Sequence, residues 1–111
     1  MRHSTGTPTK AESARMDAIK NGPCVCCEMQ GFSSHFPDIH HLLSGNKRRG
    51  HMFTIGLCPW HHRSVRVSSI SEAVMTEKFG PSLANGSKPF HAAFGSDDEL
   101  LAYQNRLLEE S

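Results

Sequence analysis

Two short pairs constrain this chain most: C-x-x-C at Cys24 and Cys27, and C-x-x-H at Cys58 and His61. They stand at the two ends of one long loop. A spacing of two lets the backbone turn back on a single ion, and thiolates with one imidazole suit tetrahedral zinc. In a chain of 111 residues the apolar core is modest, so such a staple matters to folding. An ion held this way contributes on the order of 10 kcal/mol of apparent folding free energy. The expected structural zinc ligands are therefore Cys24, Cys27, Cys58 and His61, with Cys26 left as a free thiol. Nearly adjacent cysteines make a poor disulfide framework, and clustered Cys with nearby His fits metal binding in a reducing, cytoplasmic compartment.

The histidines exceed what a zinc staple needs. His40, His41, His51 and His62 fall between and beside the pairs. His40 and His41 are consecutive on an expected strand, so their side chains leave on opposite faces. His62 follows the zinc-binding His61 on an expected helix. A divalent cation, Mg²⁺ or another, held by His40 and His62 would polarise a phosphodiester, and His41, neutral near pH 7, would take a proton from water. His51 fits three duties equally: metal ligand, orienter of His41, or phosphate contact. His3 and His35 read as solvated surface residues, and His91 is assigned no role beyond that.

Charge placement supports a polyanionic partner. The formal net charge is only +1, yet no acid occurs from Ile39 to Ser71, where Lys47, Arg48, Arg49, Arg63 and Arg66 fall. Five acids gather instead near the end, at Asp97, Asp98, Glu99, Glu109 and Glu110. With no acid nearby in sequence, the five basic residues are expected to contact DNA phosphates, which positions a duplex without reading its sequence. No apolar run approaches membrane-spanning length, so no membrane role is expected.

The pattern along the chain predicts one α+β domain over residues 9–111 behind a flexible residues 1–8. T-x-x-E at Thr9 and Glu12 predicts a helix over 10–20, closed by Asn21-Gly22-Pro23. Strands are expected over 38–41 and 52–57, joined by a basic loop at 44–50. A helix with Pro59 in its first turn follows to about residue 67. That gives a strand, strand, helix core at about 36–67. Residues 68–84 resist assignment because Pro81, Asn85-Gly86 and Pro89 interrupt the pattern, and 88–94 suggests one short helical turn. Ser96 and Glu99 cap a final helix over 97–110, packed on the core through Leu100, Leu101, Gln104, Leu107 and Leu108.

Taken together, Pro23-Cys24-Val25-Cys26-Cys27, His40-His41, Gly50-His51 and Leu57-Cys58-Pro59-Trp60-His61-His62 resemble the HNH (ββα-metal) endonucleases of the zinc-stapled kind. More closely, they resemble the phage Ref family of RecA-dependent nucleases, over roughly residues 7–67. The resemblance implies an enzyme of bacteriophage recombination that cuts DNA bound in a RecA filament, with His40 and His62 on the catalytic metal and His41 as base. Two positions depart from the HNH pattern. Phe53 stands where the middle Asn belongs, leaving His51 as the natural substitute, and Arg66 stands where some members carry a further ligand. A second reading is a catalytically idle zinc module that binds DNA or RecA, its histidines closing a second structural zinc site. A monomer is expected in either case.

Overall fold

The computed structural model describes residues 7–45 and 47–110. His3 and most of the leader expected to be flexible lie outside the described residues. The architecture is α+β: six helices and four short strands among the described residues. Helix α1 (Lys10–Lys20) begins at the expected capping box, where Glu12 N–H donates to Thr9 Oγ1 at 3.1 Å and Thr9 N–H to Glu12 Oε1 at 2.8 Å. It buries Ile19 and leaves Met16 half-buried. Instead of a bare turn, the first cysteine pair forms a short helix, α2 (Val25–Met29), with Cys24 as its N-cap.

Strand β1 (Asp38–His41) pairs antiparallel with β4 (Thr54–Leu57), with Asp38 opposite Leu57 and His41 opposite Thr54. β4 starts two residues later than expected, because Met52 and Phe53 are exposed whereas all four residues from Thr54 are buried. The basic loop expected at 44–50 contains a second antiparallel pair, β2 (Leu43–Ser44) with β3 (Lys47–Arg48). Helix α3 (Pro59–Arg63) has proline in its first turn, as expected, but stops four residues short of residue 67. Ser64 takes a left-handed conformation (φ 60°) and ends it.

The stretch that resisted assignment folds into α4 (Glu72–Phe79), capped by Ser71, whose hydroxyl accepts from Val74 N–H at 3.2 Å. A 3-10 turn (Leu83–Asn85) leads into α5 (Ser87–Phe94), which is two full turns rather than one. Pro89 did not prevent it, since proline is tolerated in a first turn where the N–H groups lack helical partners. Helix α6 (Asp97–Glu110) matches its expected span, with Ser96 and Glu99 hydrogen-bonding reciprocally across its start.

The core joins α2, β4, α5 and α6 through Val25, Cys26, Leu42, Ile55, Leu57, Phe90 and Leu100. Two polar ties fix β4 within it. Gln104 Oε1 accepts from Gly56 N–H at 2.7 Å, which is how α6 seats on the sheet. Arg15 donates to Thr54 Oγ1 at 3.1 Å, to the Thr54 carbonyl at 2.6 Å and to Asn105 Oδ1 at 2.8 Å, linking α1, β4 and α6. Gly56 is closely packed: a Cβ would stand 3.0 Å from both Ile19 Cγ2 and Pro37 Cγ, so either side chain would have to give way.

Candidate metal centre and histidine site

The two spaced pairs meet in space. Cys24, Cys27, Cys58 and His61 place their donor atoms within 4.8 Å of one another. His61 Nδ1 lies 3.5, 3.7 and 3.2 Å from the sulfurs of Cys24, Cys27 and Cys58, and the Cys27 and Cys58 sulfurs are 3.9 Å apart. Thiolates about 2.3 Å from a tetrahedral zinc stand about 3.8 Å from each other, so the group is sized for that ion. His61 Nε2 donates to the Phe79 carbonyl at 2.7 Å, turning the Nδ1 lone pair toward the sulfurs. α3 and the end of α4 are tied together here, because Trp60 Nε1–H also donates, to the Gly80 carbonyl at 3.0 Å.

The donors of this cluster shift one another's protonation. Hydrogen bonds from Cys26, Cys27 and Cys58 hold the Cys24 thiol well below its ordinary pKa. The Cys24 contact in turn pushes Cys26 and Cys27 upward. Burial opposes charge on His61, but hydrogen bonds to Cys24 and Cys58 win and raise it to about 10. A zinc ion among the four donors would replace these protons, holding the sulfurs as thiolates and His61 Nδ1 as a lone pair. Cys26 is buried in the core and lies outside the four-donor group.

The remaining histidines form two pairs. His40 packs edge-on against His62, ring centroids 5.3 Å apart. His41 faces His51, with Nε2 3.0 Å from His51 Nδ1. Strand alternation sends His40 and His41 to opposite faces of β1, so the two pairs flank the strand rather than forming one ring cluster. Burial, reinforced by the charge of His62, lowers His40 to about pH 4. Burial, then Arg48 and His51, lowers His41 below its ordinary value. Of the three duties open to His51, the geometry favours orienting His41, since His51 is buried against it.

Sequence reasoning missed Asp38. Its Oδ2 accepts from His62 Nδ1 at 3.0 Å and from Arg63 Nε at 2.7 Å. Burial raises the Asp38 carboxyl, yet the Arg63 and His62 hydrogen bonds outweigh it and the net shift is downward. The signal was present: Asp38 precedes His40 by two on a strand, which puts both on one face.

The basic residues divide. Lys47, Arg48 and Arg66 are exposed. Arg49 pairs with Asp98 at 2.8 Å and Arg63 with Asp38 at 2.7 Å. Thus the expectation that no acid neutralises this segment fails for Arg49 and Arg63: folding brings acids from β1 and α6 that are distant or outside it in sequence. Arg66 lies beyond the end of α3, so it does not follow His62 on the helix. His35 is exposed as expected. His91 departs from a freely solvated residue, being half-buried beside Gly95 and Asp97.

No helix among the described residues is long and apolar enough to cross a membrane. The family model described as recombination enhancement, RecA-dependent nuclease matches residues 8–109. That span contains the Cys3His group, both histidine pairs and all six helices except the last residue of α6, and the chain belongs to this family of RecA-dependent nucleases.

Proposed function

We propose that the protein is a metal-dependent DNA endonuclease of HNH type that acts on RecA-bound DNA, with residues 9–111 as one domain and 36–67 as its ββα core. The observation that carries this reading is the Asp38, His62, His40 arrangement. A histidine whose Nδ1–H is held by a carboxylate presents its Nε2 lone pair outward, as metal-binding histidines do. His40, uncharged at neutral pH with its pKa near 4, adds a second lone pair against the same ring. Two imidazoles suit a borderline dication, and carboxylate or phosphate oxygens complete the preference of Mg²⁺. When bound, such an ion withdraws charge from the scissile phosphate and the departing oxygen.

His41 is the base. For that duty its Nε2 carries the hydrogen and donates to His51 Nδ1, leaving His41 Nδ1 to accept a proton from the attacking water. Its lowered pKa keeps that atom unprotonated at neutral pH. Lys47, Arg48 and Arg66, exposed beside the site's strand and helix, contact the DNA backbone. Arg49 and Arg63 contribute positive field while retaining their carboxylates.

The alternative, an idle module whose histidines close a second zinc cage, has less support. Among the described residues, the one group of three or more metal-type donors within 4.8 Å is the Cys24 group. The deciding experiment incubates single-stranded, duplex and RecA-paired DNA with protein and Mg²⁺, with and without RecA and ATP. Cleavage of RecA-bound DNA that disappears in His41→Ala is expected. Undiminished cutting by that variant, or no cutting under any condition by the wild type, overturns the reading.

A further inference from the structure

His91 and Asp97 take no part in the mechanism above, yet their geometry is not that of an ordinary surface pair. His91 Nδ1 lies 2.8 Å from the Gly95 carbonyl. A carbonyl only accepts, so Nδ1 carries the hydrogen. Nε2 then faces Asp97 Oδ1 at 3.4 Å. On a neutral ring that nitrogen is a lone pair, and two acceptors turned toward each other need a positive centre between them. A proton supplies it in an ion pair, here longer than the about 2.7–2.9 Å of a close charge-assisted N–H···O bond. A metal ion also fits. Ligands about 2.1 Å from one dication stand about 3.0 Å apart in octahedral and about 3.4 Å apart in tetrahedral coordination.

The surroundings suit a ligand as well. Both side chains are half-buried, 32% and 29% exposed, which limits solvent competition without closing the site. They line an open cleft of about 380 Å³ together with His40, Leu43, Leu83 and Ser87. The Gly95 carbonyl, immediately after α5, fixes the ring by the same device that fixes His61. The cleft therefore has two pre-aimed donors on one wall and a candidate nuclease residue on another.

We propose that His91 Nε2 and Asp97 Oδ1 form a two-ligand site for a dication such as Mn²⁺ or Zn²⁺, in the cleft they share with His40. Water and a phosphate oxygen of bound nucleic acid complete its coordination. The ion-binding part stands alone; the phosphate part rests on the nuclease reading. The C-terminal helices, which lie outside the ββα core, thereby contribute directly to substrate binding.

Titration of zinc-loaded protein with Mn²⁺, followed by the electron paramagnetic resonance signal of free Mn²⁺, tests this. Wild type is expected to bind two Mn²⁺ per chain. His91→Ala and Asp97→Asn should each bind one, and so should His62→Ala. Melting curves verify the fold of each variant, and Asp97→Asn decides alone if His91→Ala fails to fold. Titrations of Asp97→Asn indistinguishable from wild type would overturn the proposal. An ion lost in His62→Ala but kept in Asp97→Asn sinks this site and leaves the nuclease reading intact. An ion lost in Asp97→Asn but unaffected in His62→Ala upholds this site and removes the His40 and His62 metal assignment.

Discussion

His62 on α3 donates its Nδ1–H to Asp38 Oδ2 on β1 across 3.0 Å, so a helix and a strand are locked by the same contact that orients a candidate metal ligand. Asp38→Asn keeps the shape and removes the charge. Losing such an outer partner typically costs about 10- to 100-fold in metal affinity or activity. We expect a weakening in that range for the Mn²⁺ ion lost in His62→Ala. Calorimetric titration of the variant checks it, and unchanged affinity would show that Asp38 merely pairs with Arg63.

The Cys24, Cys27, Cys58 and His61 group is expected to hold a structural zinc. Cys58→Ser removes one of four donors from a site worth on the order of 10 kcal/mol, far more than a small domain has to spare. The variant should lose its cooperative thermal transition, and a strong chelator should do the same to wild type. Elemental analysis of folded wild type should give zinc in the preparation before any is added. A folded, zinc-free protein would contradict the assignment.

His41 sets the expected acid limb of activity. Burial first, then Arg48 and His51, lowers its pKa from 6.5, so the neutral form dominates at pH 7 and the rate falls only as pH drops below the ordinary histidine range. His41→Ala should reduce cleavage by about 10²- to 10⁴-fold. Removing the Arg48 charge makes the imidazolium easier to form, so Arg48→Ala should move the limb to higher pH. Rate profiles at saturating Mg²⁺ read the shift; a limb displaced downward would be the wrong sign.

Gln104 couples the final helix to the sheet. Its side chain is buried and accepts from Gly56 N–H at 2.7 Å. Gln104→Ala strands that donor in the core, at a cost of about 1–3 kcal/mol. Denaturant melts should show the loss with the zinc content unchanged.

The parts legible in the sequence were those specified locally. Thr9 with Glu12 and Ser96 with Glu99 announced α1 and α6 through their capping bonds, and the x2 spacings announced a donor group that folding closes. What escaped was set by distant partners. α4 ends just before Gly80 and Pro81, and its end is fixed where the Phe79 and Gly80 carbonyls receive His61 and Trp60. Asp98 neutralises Arg49 from nearly fifty positions away, which no reading of a local charge run reveals. His91 looked dispensable because Asp97 becomes its neighbour only when the chain turns at Gly95, whose φ of 104° strongly favours glycine.

The placement of the proposed catalytic ion is tested most directly by a crystal grown with Mn²⁺ and measured at the manganese absorption edge. The expected result is an anomalous peak within coordination distance of His62 Nε2 and the His40 ring. A crystal saturated with Mn²⁺ that shows density elsewhere and none between those two imidazoles would contradict it.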